Sequence, residues 1–175
     1  MNWRPAPSSG AWLGLAAAAA ALTVETAIIA FGRRAFPGPS AAIAGLLAWL
    51  LAPSILWLSY WVWGRLSLSY DLTRAGIVIR WAAHRQVIPM EAITHVLIGR
   101  PYETPLTGFR WPGHEVGRTR VSIDDDGDAR DTMVFATVPP SGQLIVATSD
   151  IAYAISPADR AGFIDEFRVR SHLGA

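Results

Sequence analysis

Two long apolar runs occupy the first third of the chain. The first, residues 11–31, is interrupted only by the charge of Glu25, and the second, residues 40–63, contains no charged residue. Runs of about 20 apolar residues are long enough to cross the hydrocarbon core of a bilayer as α-helices. Residues 32–39 between them include two arginines, two prolines and two glycines, which predicts a turn. The pattern therefore predicts a two-helix transmembrane anchor within residues 1–65.

A cleaved signal peptide is the alternative interpretation of the first run, with Arg4 before it and small residues near a cleavage site. The length of the first run and the second full-length run after it favour the hairpin. Aromatic residues flank the start of the first run and the end of the second, which a hairpin would bring to one membrane interface. These residues are Trp3, Trp12, Trp57, Tyr60, Trp61 and Trp63.

The orientation follows from the arginines. Arg4 and Arg65, with Arg74 and Arg80 further along, lie on the side of the chain ends, against Arg33 and Arg34 in the turn. The positive-inside rule then predicts a multi-pass protein of the cell membrane, with the N-terminus and the C-terminal domain both cytoplasmic.

Glu25 is the one ionisable residue inside either run. An ionisable residue within a membrane span indicates a functional site. The structural interpretation is that Glu25, about 9 Å from the helix end, is neutral and bonded to Thr23 or to a carbonyl of the second helix. A single carboxyl group does not make an ion pathway, so the structural interpretation is favoured.

From Leu66 the period changes to the strict alternation of a half-buried strand, as in Leu66, Leu68, Tyr70 and Leu72. Further short strands are predicted up to residue 155, with an irregular loop at residues 100–117 and a turn at residues 124–128. Ser156, Pro157 and Asp159 predict the start of a C-terminal helix at residues 157–170. Residues 66–175 are therefore predicted to form a mainly-β domain, a sandwich or partly open barrel with one C-terminal helix, that folds without the anchor.

Several segments of this region resemble bacterial pleckstrin-homology-like (PH-like) domains. They are residues 70–79 with 88–93, residues 108–113, and residues 153–157 leading into the final helix. The resemblance covers residues 66–170 and implies a curled seven-stranded sheet with one C-terminal helix. Phosphoinositide-binding relatives of this fold carry several basic residues around the first strand turn, where this chain offers Arg74 and Arg80. No specific phosphoinositide site is therefore expected.

Charge and composition exclude several kinds of chemistry. The net charge is +1, so no global field favours nucleic acid. The chain has no cysteine, and its four histidines lack the spacing of metal ligands. The acidic residues 124–128 resemble a calcium loop, but Met133 stands where such a loop has its last acidic ligand. No nucleotide-binding or hydrolase motif is present, so neither a cofactor nor a metal is expected.

The loop at residues 100–117 also holds Glu103, His114 and Glu115, which could form an acid–base set, although solvated loop residues are the commoner case. Its bulky residues make it the best candidate for a binding surface. We predict Tyr102, Phe109, Arg110 and Trp111 as partner-binding residues; the alternative is that Phe109 and Trp111 cover an open end of the barrel. The predicted function is a non-catalytic, membrane-anchored module that binds a protein or peptide. An accessory subunit of a larger membrane complex, assembled through the helices, is the alternative.

Overall fold

The computed structural model describes residues 1–35, 39–123 and 129–172. The predicted acidic turn at residues 124–128 and residues 36–38 of the predicted helix–helix turn lie outside the described residues. The chain divides into two compact units, which are a helical unit, Ala11–Leu66, and a β-domain made of Met1–Gly10 together with Ser67–Ala175. The predicted boundary after residue 65 lies one residue from the observed one, but residues 1–10, predicted to be part of the anchor, belong to the β-domain.

Two long helices follow each other in the chain, α1 (Gly10–Ala35) and α2 (Pro39–Ser67). Each begins one residue before its predicted span and ends four residues after it. In the part of the chain that the structure describes, Trp12–Phe31 is the one segment long and apolar enough to cross a membrane. Within the helical unit, α1 approaches α2 closely at Gly14, where an added Cβ would lie 2.8 Å from Val62 Cγ2.

The strands of the β-domain form two sheets. One has the order β1-β2-β3-β4 and the other the order β5-β9-β10-β8-β7-β6. In chain order the strands are β1 (Asn2–Trp3), β2 (Ser69–Thr73), β3 (Gly76–Trp81), β4 (His84–Pro89), β5 (Ile93–Ile98), β6 (Thr107–Trp111), β7 (His114–Ser122), β8 (Ala129–Ala136), β9 (Leu144–Thr148) and β10 (Ala152–Ile155). The sequence predicted one curled sheet of seven strands, whereas the structure has two separate sheets. The sheets stay open because β4 and β6 are each the edge strand of their own sheet and do not pair with each other.

Residues of the N-terminal segment are bonded to three parts of the β-domain. Asn2 and Trp3 pair with Asp71 and Tyr70 of β2. The Ala6 amide donates to the Ser156 carbonyl at 2.7 Å, and the Ala158 amide donates to the Arg4 carbonyl at 2.9 Å. The ring of Trp3 packs edge-on against Phe163, with the centroids 5.7 Å apart. These contacts explain why Met1–Gly10 folds with residues that follow both long helices.

The C-terminal helix α3 spans Arg160–His172, so the predicted start at residue 157 is wrong. Asp159 is the N-terminal cap, since its Oδ1 accepts from the Gly162 amide at 2.9 Å. The Ser156 hydroxyl, predicted to be the cap, instead accepts from the Thr137 amide at 2.8 Å. Pro157 is bridged to Pro5 of the N-terminal segment, which holds it in extended chain.

The six-stranded sheet has apolar side chains on both faces. Its register places Met133, Phe135, Tyr153 and Ile155 on one face. The hydroxyl of Tyr70, from the other sheet, donates to the Phe135 carbonyl at 2.7 Å. The opposite face carries a second buried cluster of Val121, Ile123, Val134, Ala136, Ile145, Ala147, Ala152 and Ala154, against which Leu97, Tyr102 and Leu106 pack. The loop before β6 therefore covers the outer face of this sheet.

Candidate functional site

Most of the predicted irregular loop at residues 100–117 is a β-hairpin. Strands β6 and β7 pair from Thr107↔Arg118 to Trp111↔His114 around the two-residue turn Pro112-Gly113. Gly113 has φ +72°, and proline followed by a glycine at positive φ is typical of a type II turn. Gly108 lies opposite Gly117, and a Cβ on Gly117 would come 2.4 Å from the Thr107 carbonyl oxygen. The two glycines therefore allow the strands to pair closely.

The strand alternation divides the predicted partner-binding residues between two faces. Phe109 and Trp111 share one face and stack on each other, with ring centroids 6.3 Å apart and planes 6° apart. Arg110 lies on the other face, opposite Glu115 in the register. The indole Nε1 of Trp111 is buried and has no hydrogen-bond partner among the described residues. The four residues therefore do not form one continuous patch.

Arg110 and Tyr102 meet instead at the buried carboxylate of Glu115. Arg110 Nε donates to Glu115 Oε1 at 2.8 Å. The Tyr102 hydroxyl lies within donating distance of both Glu115 Oε2 and Gln143 Oε1, 2.9 Å from each. The fully buried Gln143 also donates through Nε2 to the Val138 carbonyl at 2.8 Å. The Arg110 side chain is exposed, but this buried network holds its Nε in place.

Burial raises the pKa of Tyr102 above its ordinary value; the hydrogen bond with Gln143 lowers it in part, and the neighbouring charge of Glu115 raises it further. The hydroxyl is therefore protonated at neutral pH and serves as a donor. Tyr102 also forms a bridge to Val121 of β7. The structure thus places Tyr102 in the attachment of the loop to the sheet, below the surface on which Arg110 is exposed.

The tip of the hairpin borders a cleft of about 380 Å³, lined by Arg110, Trp111 and Glu115 on one side and by residues 137–139 on the other. The Ser8 hydroxyl donates to the Gly113 carbonyl at 2.8 Å. A Cβ on Gly10 would overlap the Pro112 carbonyl oxygen, 2.1 Å away. The hairpin tip is thus held against the residues that come directly before the apolar run of α1.

The structure brings together no acid–base set or metal centre among the described residues. His114 and Glu115 point to opposite faces of β7, and His114 Nε2 accepts from Trp81 Nε1 at 3.3 Å. No group of three or more histidine and acidic side chains in the described ranges could hold a metal ion. In α1, Glu25 is half-buried, and the Thr23 hydroxyl donates to the Ala19 carbonyl at 2.8 Å and not to Glu25.

Comparison with known proteins identifies a family. A family model described as a bacterial PH domain matches residues 68–171, which is more than half of the chain. No curated protein and no solved structure matches the chain. The matched region begins just before β2 and ends within α3, so it includes the hairpin and its cleft.

Proposed function

Because the chain belongs to the bacterial PH domain family, we propose that it is a membrane-anchored interaction module whose β-domain binds a protein or peptide partner at the bilayer surface. A PH domain is an interaction domain. The membership of this chain in the family agrees with the absence of catalytic motifs in its sequence. The observation that carries the proposal is the attachment of the β6–β7 hairpin tip to Ser8 and Gly10. If α1 enters the bilayer at Trp12, this attachment keeps the tip near the membrane surface.

A double crossing of the membrane is part of the proposal. Residues Asn2 and Trp3 pair with β2, and two strands of one sheet lie on the same side of a bilayer. If Trp12–Phe31 crosses the membrane, the chain must cross back before β2 begins at Ser69. The long helix between Phe31 and Ser69 is α2. The arginine distribution favours a cytoplasmic β-domain.

Single cysteines report this topology, because the natural chain has none. We expect a membrane-impermeant thiol reagent applied to intact cells to label a cysteine at position 36 and to leave one at the exposed position 150 unlabelled. Permeabilised cells, in which both positions should react, provide the control. Labelling of position 150 alone in intact cells would show that the orientation is opposite to the proposed one. Labelling of both positions would contradict the two-span hairpin.

We assign partner binding to the hairpin tip, with Arg110 on one face and Phe109 and Trp111 on the other as contact residues, and with Tyr102 as the support of Arg110 through Glu115. Arg110 exposes 67% of its side chain, yet its Nε is fixed by Glu115. A charged group that is held in place loses little entropy on binding, which favours affinity. Arginine and tryptophan are also enriched among the residues that dominate binding energy.

Arg110→Ala tests this surface in a Glu115→Gln background, because removing the arginine alone would leave the buried Glu115 carboxylate without its cation. Relative to Glu115→Gln alone, we expect recovery of the partner from native membranes to fall by about tenfold or more, equivalent to about 1.4 kcal/mol, with little change in the melting temperature. Arg74→Ala, an exposed arginine on the turn between β2 and β3, is the matched control and should leave recovery unchanged. Equal recovery with both variants would contradict the assignment of the hairpin tip.

The second candidate, an accessory subunit assembled through its helices, is favoured by one observation. A Cβ on Gly45 of α2 would meet no described atom within 4 Å, so this small residue has room for a neighbouring helix. A partner bound through the helices should still be recovered with residues 11–66 alone. A partner bound through the β-domain should be lost.

A further inference from the structure

A second cleft, of about 410 Å³, lies between the two sheets of the β-domain. On the six-stranded sheet, Val116 pairs with Phe135 and Arg118 pairs with Met133 in the register of β7 and β8. On the four-stranded sheet, β3 contributes Ile79 and Trp81. The floor is thus apolar and comes from both sheets. Concave, mainly apolar spaces of about 300–1,000 Å³ are the typical sites of small molecules.

The wall of this cleft is fixed by contacts within the domain. Trp81 Nε1 donates to His114 Nε2 at 3.3 Å, and the Trp81 ring stacks on His84, with the centroids 5.7 Å apart. Gln86 Nε2, from β4, donates to the Tyr153 hydroxyl at 3.1 Å across the two sheets. These contacts fix the positions of Trp81, His84 and Gln86 in the wall, so binding there costs little reorganisation.

The charges around the cleft have one sign. Arg85 of β4 and Arg118 of β7 line it from opposite sheets, beside His84, and no acidic residue lines it. Neither arginine forms an ion pair with any residue that the structure describes. Other arginines of the domain do, including Arg80 with Asp71 at 3.1 Å and Arg170 with Glu166 at 2.6 Å. The register places Arg118 on the cleft side of β7 with Val116, whereas Arg85 pairs with Arg80 on the face of the four-stranded sheet opposite Ile79. One guanidinium group without a carboxylate partner, that of Arg118, therefore faces an apolar space.

From this arrangement we infer that the cleft between the sheets binds a small amphipathic anion, an apolar body with one carboxylate or phosphate head. The apolar floor of Ile79, Val116 and Phe135 receives the body, and Arg118 binds the head, since a guanidinium group forms charge-assisted hydrogen bonds with such anions. The site is separate from the hairpin tip, where Arg110 is already bonded to Glu115. It does not depend on the proposed partner binding.

The test uses the full chain in nanodiscs, with octanoate as the probe, and with 1-octanol and octyltrimethylammonium as the neutral and cationic analogues. Titration calorimetry, corrected for partition into empty nanodiscs, is expected to show saturable binding of octanoate at one site per chain. Octanoate should bind more tightly than 1-octanol, and the cation should not bind saturably. Binding that is equal for all three amphiphiles, or that never saturates, would overturn the proposal.

Arg118→Gln should weaken octanoate binding by about tenfold or more and remove its preference over 1-octanol. The Arg118 side chain is exposed, so the melting temperature should change little. Arg85→Gln, on the other face of the four-stranded sheet, is the matched control and should bind octanoate like the natural chain. Unchanged affinity in Arg118→Gln would overturn the assignment. So would saturable binding of an acetylated Phe-Glu-Phe-Glu peptide without binding of octanoate, a result that would point to an acidic peptide.

Discussion

In the β-domain many large apolar side chains are buried, whereas in the helical unit many are exposed. Tyr70 and Leu72 are 0% exposed, but Phe31 is 67% and Trp49 and Leu56 are each 71% exposed. Exposed apolar surface of this extent on a monomer indicates contact with a partner or a membrane. Similar apolar side chains are therefore used in two ways in one chain, in a protein core and on an exposed apolar surface. Burial separates the two uses where hydrophobicity alone does not.

We expect the greatest loss of stability from a change in the N-terminal segment, which precedes the helices in sequence but folds with the β-domain. Trp3→Ala removes a ring that packs on Phe163. Removing a buried tryptophan costs about 3–5 kcal/mol, and we expect a value near the lower end because Trp3 is only partly buried. Trp12→Ala is the control, since Trp12 is 75% exposed, and it should leave the melt of the β-domain unchanged.

The same segment changes what is expected of the isolated domain. Residues 67–175 alone lack β1 and the bonds of Ala6 and Arg4 to the chain around α3. We expect this fragment to melt at a lower temperature than a chain in which residues 1–10 are joined to it by a flexible linker. Identical cooperative melts, followed by circular dichroism, would restore the view that the domain needs nothing from before the helices.

The sequence carried strong signals for some elements and weak ones for others. The long apolar runs and the alternation from Leu68 to Leu72 predicted α1, α2 and β2, because each pattern persists over several residues. Strand β1 has two residues, which is too short for a period to be seen. The start of α3 was misplaced because Ser156 has the right residue type for a cap, yet its hydroxyl is used by Thr137 from a distant strand.

In the helical unit, packing depends on small residues, and two glycines test this dependence. Gly14→Val would place a side chain where a Cβ already comes 2.8 Å from Val62, while Gly45→Val would enter open space. Overpacking of this kind costs about 1–3 kcal/mol. We therefore expect Gly14→Val to lower the unfolding temperature of the helices in detergent and Gly45→Val to leave it nearly unchanged. Val62→Ala should recover part of the loss. Equal effects at both glycines would contradict close packing at Gly14.

For the candidate site, residue types were predictable and their arrangement was not. Arg110 and Trp111 were singled out as bulky and charged neighbours in one segment. The turn Pro112-Gly113, with alternating residues on both sides, was the signal for a hairpin and was missed. Once the segment is a strand, adjacent residues face opposite ways. The attachment of Tyr102 to Glu115 and Gln143 joins residues 41 apart, a relation that no local pattern contains.

The smallest expected effect concerns Tyr102, which tests whether the buried character of the β-domain extends to the loop before β6. Its pKa is raised in the folded state, chiefly by burial, above the value of about 10 in an unfolded chain. The folded state then holds a proton that the unfolded state releases, so the free energy of unfolding should fall as pH rises past about 10. Below that pH the contribution is fully present. Tyr102→Phe removes the titrating group, and its unfolding free energy should fall less steeply between about pH 10 and 11 than that of the natural chain. Denaturant titrations at matched pH values measure the two slopes. Parallel slopes would mean that solvent reaches the phenol and that the loop does not share the interior of the domain.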